Sequence, residues 1–287
     1  MQQAYVTAIR PDNYIHTACF YPVIGSLEYG LKASGYKTEV LFNKFSLRDP
    51  NIIVGAHLLT NPDHVLQHNK PLIYNFEQIS EESGWLSENY INTLKAKPYF
   101  DYSKANIAAI TSKYPGIQVK HLPFAYSPTL DYTYVQQDQF KVKPKDIDVL
   151  FFGSINDRRT KVLNKLKDLN LNVIAAFGVY GADLSSLVHR AKIVLNMHYY
   201  ESSVFEAVRV IPLLASRVAV VSEKSVDDED YSYLGCGIMS VPYETLAYAC
   251  KDLIEDEESR DSMADTGYAN VKLKTMAQSV ESIRSML

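Results

Sequence analysis

Two series of alternating apolar and amphipathic segments run along the chain, separated by a polar stretch. In the first series residues 4–9 form a strand-like apolar run. Residues 17–34 place Ala18, Val23, Leu27 and Leu31 on one face of a predicted helix, and Gly35 offers a C-cap. A strand is predicted at 38–42. Residues 52–58 and 71–76 are short, continuous apolar runs suited to strands buried on both faces of a sheet. A helix around 86–95 follows, then further strands at 107–111 and 117–122.

Between 127 and 145 the composition turns to Tyr, Gln, Lys, Pro and Asp without periodicity, as in an interdomain connection. The second series predicts strands at 148–153, 172–177, 193–197, 218–223 and 237–241. Helices are predicted at 158–169, 182–190 and 203–215, and a helical tail runs from Glu244 to the end. Strands alternating with helices of this length imply parallel sheets covered on both faces. The fold class is α/β, with two doubly wound domains facing across a cleft. The expected domains are 1–140 and 146–287, with the terminal helix free to pack back on the first.

Bulk properties narrow the function. The 287 residues suffice for two cores, and 47% hydrophobic with 22% charged residues is a globular composition. A net charge of −4 argues against broad phosphate neutralisation, and so against a general nucleic-acid binder. Cys19, Cys236 and Cys250 lie far apart and form no Cys-x-x-Cys pair, which makes a reducing, cytoplasmic setting the expectation. The N-terminus lacks a basic segment followed by an apolar one, so no leader peptide is expected. The most apolar window, 204–221, is broken by Glu206, Arg209, Pro212 and Arg217, which excludes a membrane span there. Most of the 21 tyrosines fit amphipathic packing at core edges.

Candidate chemistry gathers at strand ends. The segment after residues 148–152 is Gly153-Ser154-Ile155-Asn156-Asp157-Arg158-Arg159, with one glycine where a dinucleotide site of the Rossmann type needs three. No phosphate loop of the Gly-x-x-x-x-Gly-Lys type exists either. Two arginines at a helix start can clamp a diphosphate, or can pair with surface acids. Gly178-Val179-Tyr180-Gly181 brings backbone close to a planar group such as a nucleobase, or makes an ordinary tight turn. The third turn is Asn196-Met197-His198-Tyr199-Tyr200-Glu201-Ser202-Ser203-Val204-Phe205-Glu206, running from a strand into a helix. A carboxylate at Glu206 can accept both hydroxyls of a ribose. Together the three loops supply what the parts of a nucleotide-sugar need.

These residues resemble the donor-binding domain of GT-B glycosyltransferases, in which a Glu-x7-Glu element ends at a helix start. Glu206-Ala207 matches its end, while His198 stands where the family has the first glutamate. The resemblance implies a GT-B fold of two Rossmann-like domains, ribose binding by Glu206 and phosphate contacts near Ser202, Ser203 and Val204. Tyr199 would lie beside the donor, and His198 near the transferred sugar. Tyr74-Asn75-Phe76-Glu77-Gln78, Asp101-Tyr102-Ser103-Lys104-Ala105-Asn106, Leu122-Pro123-Phe124-Ala125-Tyr126-Ser127-Pro128 and Val220-Val221-Ser222-Glu223 resemble segments of little-characterised microbial and viral members.

The N-terminal half would then serve the acceptor. By the resemblance, His16 lies where inverting GT-B enzymes commonly hold a base, and imidazole suits proton abstraction near neutral pH. Glu77, at the end of an apolar strand, is the competing base, or else a helix-capping carboxylate. His57 could line the site or be a structural histidine. No metal or cofactor is expected: Asp228-Glu229-Asp230 lies in an acidic run that fits a solvated loop, and Arg158 and Arg159 would meet the leaving diphosphate. The expectation is a cytoplasmic, metal-independent glycosyltransferase using a UDP- or GDP-sugar. The acceptor would be a glycan, a small molecule or a modified DNA base. The alternatives are a viral DNA glycosyltransferase acting on a hydroxymethylated base, a non-catalytic nucleotide-sugar-binding protein, and a dehydrogenase, the last disfavoured by the missing glycines.

Overall fold

A computed structural model describes residues 2–60, 62, 67, 70–80, 83–131, 144–200 and 204–287. The chain divides into two compact units. Unit 1 comprises Met1–Ser127 and Thr275–Leu287; unit 2 comprises Pro128–Lys274. Most of the expected linker, at 132–143, lies outside the described residues.

Unit 1 is built on a parallel sheet of six strands: β1 (Gln3–Ala8), β2 (Lys37–Phe42), β3 (Pro50–Val54), β4 (Lys70–Asn75), β5 (Tyr99–Asp101) and β6 (Val119–His121), in the order β2-β1-β3-β4-β5-β6. Every residue of β3 is buried, whereas β2, at the sheet edge, has one buried residue, Thr38, and is otherwise exposed or half-buried. The direction of winding reverses between β1 and β3. Ligands of open α/β sheets bind beyond the strand carboxyl ends at such a reversal.

Around this sheet lie α1 (Tyr21–Ala33), α2 (Glu88–Ala96) and α3 (Lys104–Lys113). The predicted helix at 17–34 begins as a 3-10 turn, Ile15–Phe20, and becomes α-helical at Tyr21 with Pro22 in its first turn. The strand expected at 107–111 is instead part of α3. Ser103 caps that helix by accepting hydrogen bonds from the amides of Ala105 and Asn106, and the strand lies just upstream as β5. The run at 52–58 leaves the sheet at Val54 and turns through Ala56–Leu58.

The last α-helix of the chain, Met276–Ser282, belongs to unit 1. Thr275 and Gln278 form a reciprocal capping box at its start. Gly30 of α1 makes room for it, since a Cβ there would stand 3.0 Å from the Met276 carbonyl and from Val280. The Met276 amide donates to Tyr126 O at 2.7 Å, and Ser279 to Pro123 O at 2.9 Å.

Unit 2 contains β7 (Ile147–Phe152), β8 (Val173–Ala176), β9 (Ala191–Asn196), β10 (Ala219–Glu223) and β11 (Met239–Val241), all parallel, in the order β11-β10-β9-β7-β8. Its winding reverses between β7 and β9. The helices α4 (Asp157–Asp168), α5 (Gly181–Arg190), α6 (Ala207–Ala215), α7 (Leu246–Glu255) and α8 (Glu257–Val271) accompany the sheet. A core including Phe151, Leu166, Leu195, Met197, Val221 and Cys250 packs β7, β9 and β10 against α4 and α7. The helix predicted at 203–215 starts at Ala207, with Glu206 as its N-cap residue. Among the described residues no helix is long and apolar enough to cross a membrane.

Candidate functional site

In unit 2 the loops after β7 and β9 meet at the reversal point. Asn156 caps α4 by accepting from the Arg159 amide at 3.0 Å, and its Nδ2 donates to Tyr199 O at 2.9 Å, tying the two loops together. Gly153 has φ 137°, in the region that favours glycine, and a Cβ there would stand 3.1 Å from a guanidinium nitrogen of Arg209 and 3.6 Å from one of Arg159. Ser154 gives its carbonyl to Arg159 at 2.8 Å.

Arg158 and Arg159 part company. Arg158 forks onto Glu223 at the end of β10, with one leg at 2.7 Å, and lies 3.9 Å over the ring of Tyr243. Glu223 thus gives Arg158 an acidic partner, the pairing that the sequence reading held open beside a diphosphate clamp. Arg159 is 2% exposed; it reaches Met197 O and lies 3.5 Å from Glu206. Burial pushes its pKa down to about 10, against the opposing pull of Glu206. Glu206 also pairs with Arg209, which donates to Asn196 Oδ1 at 2.7 Å. Arg209, Asn196 and Glu223 were absent from the sequence-based set, although Glu223 ends one of the segments that carry the resemblance.

His198 is fully buried. Its amide donates to Glu223 at 3.1 Å, and its Nε2 lies 3.2 Å from both Lys224 O and Ser225 Oγ. The ring therefore fastens the β9 loop to the β10 loop through Nε2, while its buried Nδ1 has no hydrogen-bond partner among the described residues. Tyr199 is 40% exposed, 5.3 Å from the Arg159 guanidinium. Val204 is buried, and the neighbouring Phe205 stacks on Tyr231 at 3.9 Å. Ser202 and Ser203 lie outside the described residues. Gly178, Val179 and Tyr180 are half-buried beyond β8, the strand next to β7.

The acidic run is more ordered than a solvated loop. Asp227 accepts from the Phe205 amide at 2.8 Å, and Asp228 from the Ser225 amide at 3.1 Å and Ser240 Oγ at 2.8 Å. Among the described residues no group of three or more His, Cys, Asp or Glu side chains is placed to hold a metal ion.

In unit 1 the loops after β1, β3 and β4 carry Tyr14 and His16, His57, and Glu77. His16 is half-buried in the 3-10 turn, with Tyr14 edge-on at 5.4 Å. His57 Nε2 lies 3.7 Å from Glu77 Oε1. Trp85, Tyr90 and Phe20 surround the imidazole at 5.5, 6.2 and 6.3 Å, and burial lowers its pKa to about 4. It is neutral at pH 7. Burial raises Glu77 to about 7, although 35% of its side chain is still exposed. Glu77 is thus a recessed carboxylate that solvent can still reach.

A buried network fixes the Glu77 backbone. Asn75 and Asn106 donate to its carbonyl at 2.7 and 3.0 Å, and both donate to Asp101, at 2.8 and 3.0 Å. Tyr99 and the Ser103 amide supply two further bonds to Asp101, at 2.8 and 2.9 Å. The segments 74–78 and 101–106, which share the resemblance, form one hydrogen-bonded device.

Solved structures share this architecture over nearly the whole chain. Sucrose-phosphate synthase from Thermosynechococcus elongatus matches with a TM-score of 0.62 at 11% identity, covering 99% of this chain and 98% of that one. The chain has the GT-B fold. WaaG, a glycosyltransferase of lipopolysaccharide biosynthesis, matches with a TM-score of 0.62 at 11% identity over 99% of both chains. Anabaena HepE, solved with UDP and glucose, matches at 0.61 and 13% identity over 98% of this chain and 99% of its own. No family model matches. Sequence relatives come from Acanthamoeba polyphaga mimivirus. Uncharacterized protein L140 is 28% identical over 180 residues, 61% of this chain and 56% of that protein. Uncharacterized protein L138 is 30% identical over 106 residues, 36% of this chain and 12% of that protein. The chain thus spans little more than half of L140 and a small part of L138.

Proposed function

We propose that the protein is a glycosyltransferase that moves a sugar from a nucleoside diphosphate-sugar, UDP- or GDP-linked, to an acceptor hydroxyl. The observation that carries this reading is the convergence of Gly153, Arg159 and Glu206 where the second sheet reverses its winding. HepE, solved with UDP-glucose and similar in fold at a TM-score of 0.60, supports a donor of that class. Unit 2 takes the donor: Glu206 accepts the ribose hydroxyls, guanidiniums meet the diphosphate, and residues 178–180 border the base. Unit 1 activates the acceptor, with Glu77 as the base. The acceptor oxygen bonds to the anomeric carbon, the bond to the diphosphate breaks, and the acceptor proton passes to Glu77. A carboxyl titrating near 7 suits that transfer at neutral pH.

Incubation with UDP- and GDP-sugars should release the nucleoside diphosphate, slowly with water as acceptor and faster with the true one. Sugar-donor binding without any release under every acceptor class would leave a binding protein instead. Glu206→Gln should weaken donor binding roughly 100-fold through two lost charge-assisted hydrogen bonds, with the protein still folded. Calorimetry checks this, and unchanged affinity would remove Glu206 from the site. The positive charge at the diphosphate comes from side chains in this reading, so a chelator should leave the rate unchanged. A loss restored by magnesium would contradict it.

A further inference from the structure

Two clusters of opposite charges stand at the carboxyl edge of the second sheet, and they do not balance alike. Arg158 meets Glu223, one guanidinium to one carboxylate. Arg159 and Arg209 share the carboxylate of Glu206, and among the described residues no other carboxylate pairs with either. One positive charge is left over. Arg159 is 2% exposed, and its buried Nε has no acceptor among the described residues. The Arg209 side chain keeps 17% of its surface exposed, so the pair is open to solvent on that side. Both guanidiniums lie against the same backbone: a Cβ on Gly153 would stand 3.1 Å from Arg209 Nη2 and 3.6 Å from Arg159 Nη1. A surplus charge and an unpaired buried N–H at one spot favour an anion.

We propose that Arg209 and Arg159 together hold the phosphates, with Glu206 as the internal counterion that an incoming phosphate relieves. The inference rests on unit 2 receiving a nucleoside diphosphate, and within that reading it moves the phosphate role from Arg158 to Arg209. Arg209 is fixed by Asn196 Oδ1 at 2.7 Å, so its planar fork is oriented before the ligand arrives. Once a phosphate oxygen takes the place of one carboxylate contact, Glu206 has lone pairs for the ribose diol. The same carboxylate therefore opposes binding of a bare phosphate and favours binding of a nucleotide.

Calorimetry on the full chain separates these effects, with inorganic pyrophosphate as one probe and UDP and GDP as the others. R209Q should bind pyrophosphate at least about tenfold more weakly than wild type, with R209K retaining part of the affinity. E206Q should bind pyrophosphate more tightly than wild type and the nucleoside diphosphate more weakly. A purely structural role for these residues would not give opposite signs. Where R209Q melts early, R209K carries the comparison. The inference is overturned if R209Q keeps full pyrophosphate affinity, if E206Q loses it, or if wild type binds none. If wild type binds pyrophosphate through Arg209 yet binds neither UDP nor GDP, the phosphate site stands and the donor reading fails.

Discussion

Glu77→Gln is expected to lower transfer roughly 100- to 10,000-fold, the range a positioned general base contributes, while leaving donor affinity unchanged. The proposed donor contacts lie in unit 2, so binding and turnover should separate. The pH profile adds a second reading. A base acts when deprotonated, so the wild-type rate should rise with pH through about 7 and then level off, following the raised Glu77. The variant should lose that limb. His57 does not supply it, because burial in an aromatic cage holds its titration near 4. A rate that His16→Ala abolishes and Glu77→Gln spares would transfer the base to the other candidate.

Asp101→Ala is expected to cost the protein about 3–5 kcal/mol, because it strands several buried donors at once. Asn75, Asn106, Tyr99 and the Ser103 amide all donate to this fully buried carboxylate. The melting temperature should fall by roughly 10 °C. Asn75 and Asn106 also hold the Glu77 carbonyl, so turnover should fall beyond what partial unfolding explains. A thermal loss of under about 1 kcal/mol would mean that the network is replaceable by water.

The parallel α/β architecture was legible because apolar runs such as 52–54 and 193–195 carry the signature of strands buried on both faces. What periodicity could not supply was capping. Ser103 turns 104–113 into a helix, and a three-residue strand at Tyr99–Asp101 is too short to show an alternation. In the candidate site, the helix start at Glu206 and the turn at Gly153 were legible because helix starts and positive-φ glycines have local signals. Pairing has no such signal. Nothing in the order Arg158-Arg159 tells which arginine Glu223, 64 residues or more away, will neutralise. Arg209 was hidden for the same reason: its pairing comes from sharing Glu206 with Arg159. His198 shows the same limit, since nothing local to a residue at a strand end tells that its buried ring will meet Lys224 and Ser225.

The central claim is that the loops after β7 and β9 receive a nucleotide-sugar. A thermal-shift panel of UDP-, GDP-, dTDP- and CMP-sugars against wild type and Glu206→Gln tests it most directly, since a ligand that binds the folded state raises the melting temperature by mass action. The account predicts stabilisation of wild type by a UDP- or GDP-sugar, growing with concentration and largely lost in Glu206→Gln. No stabilisation by any member of the panel, or equal stabilisation of both proteins, would contradict it.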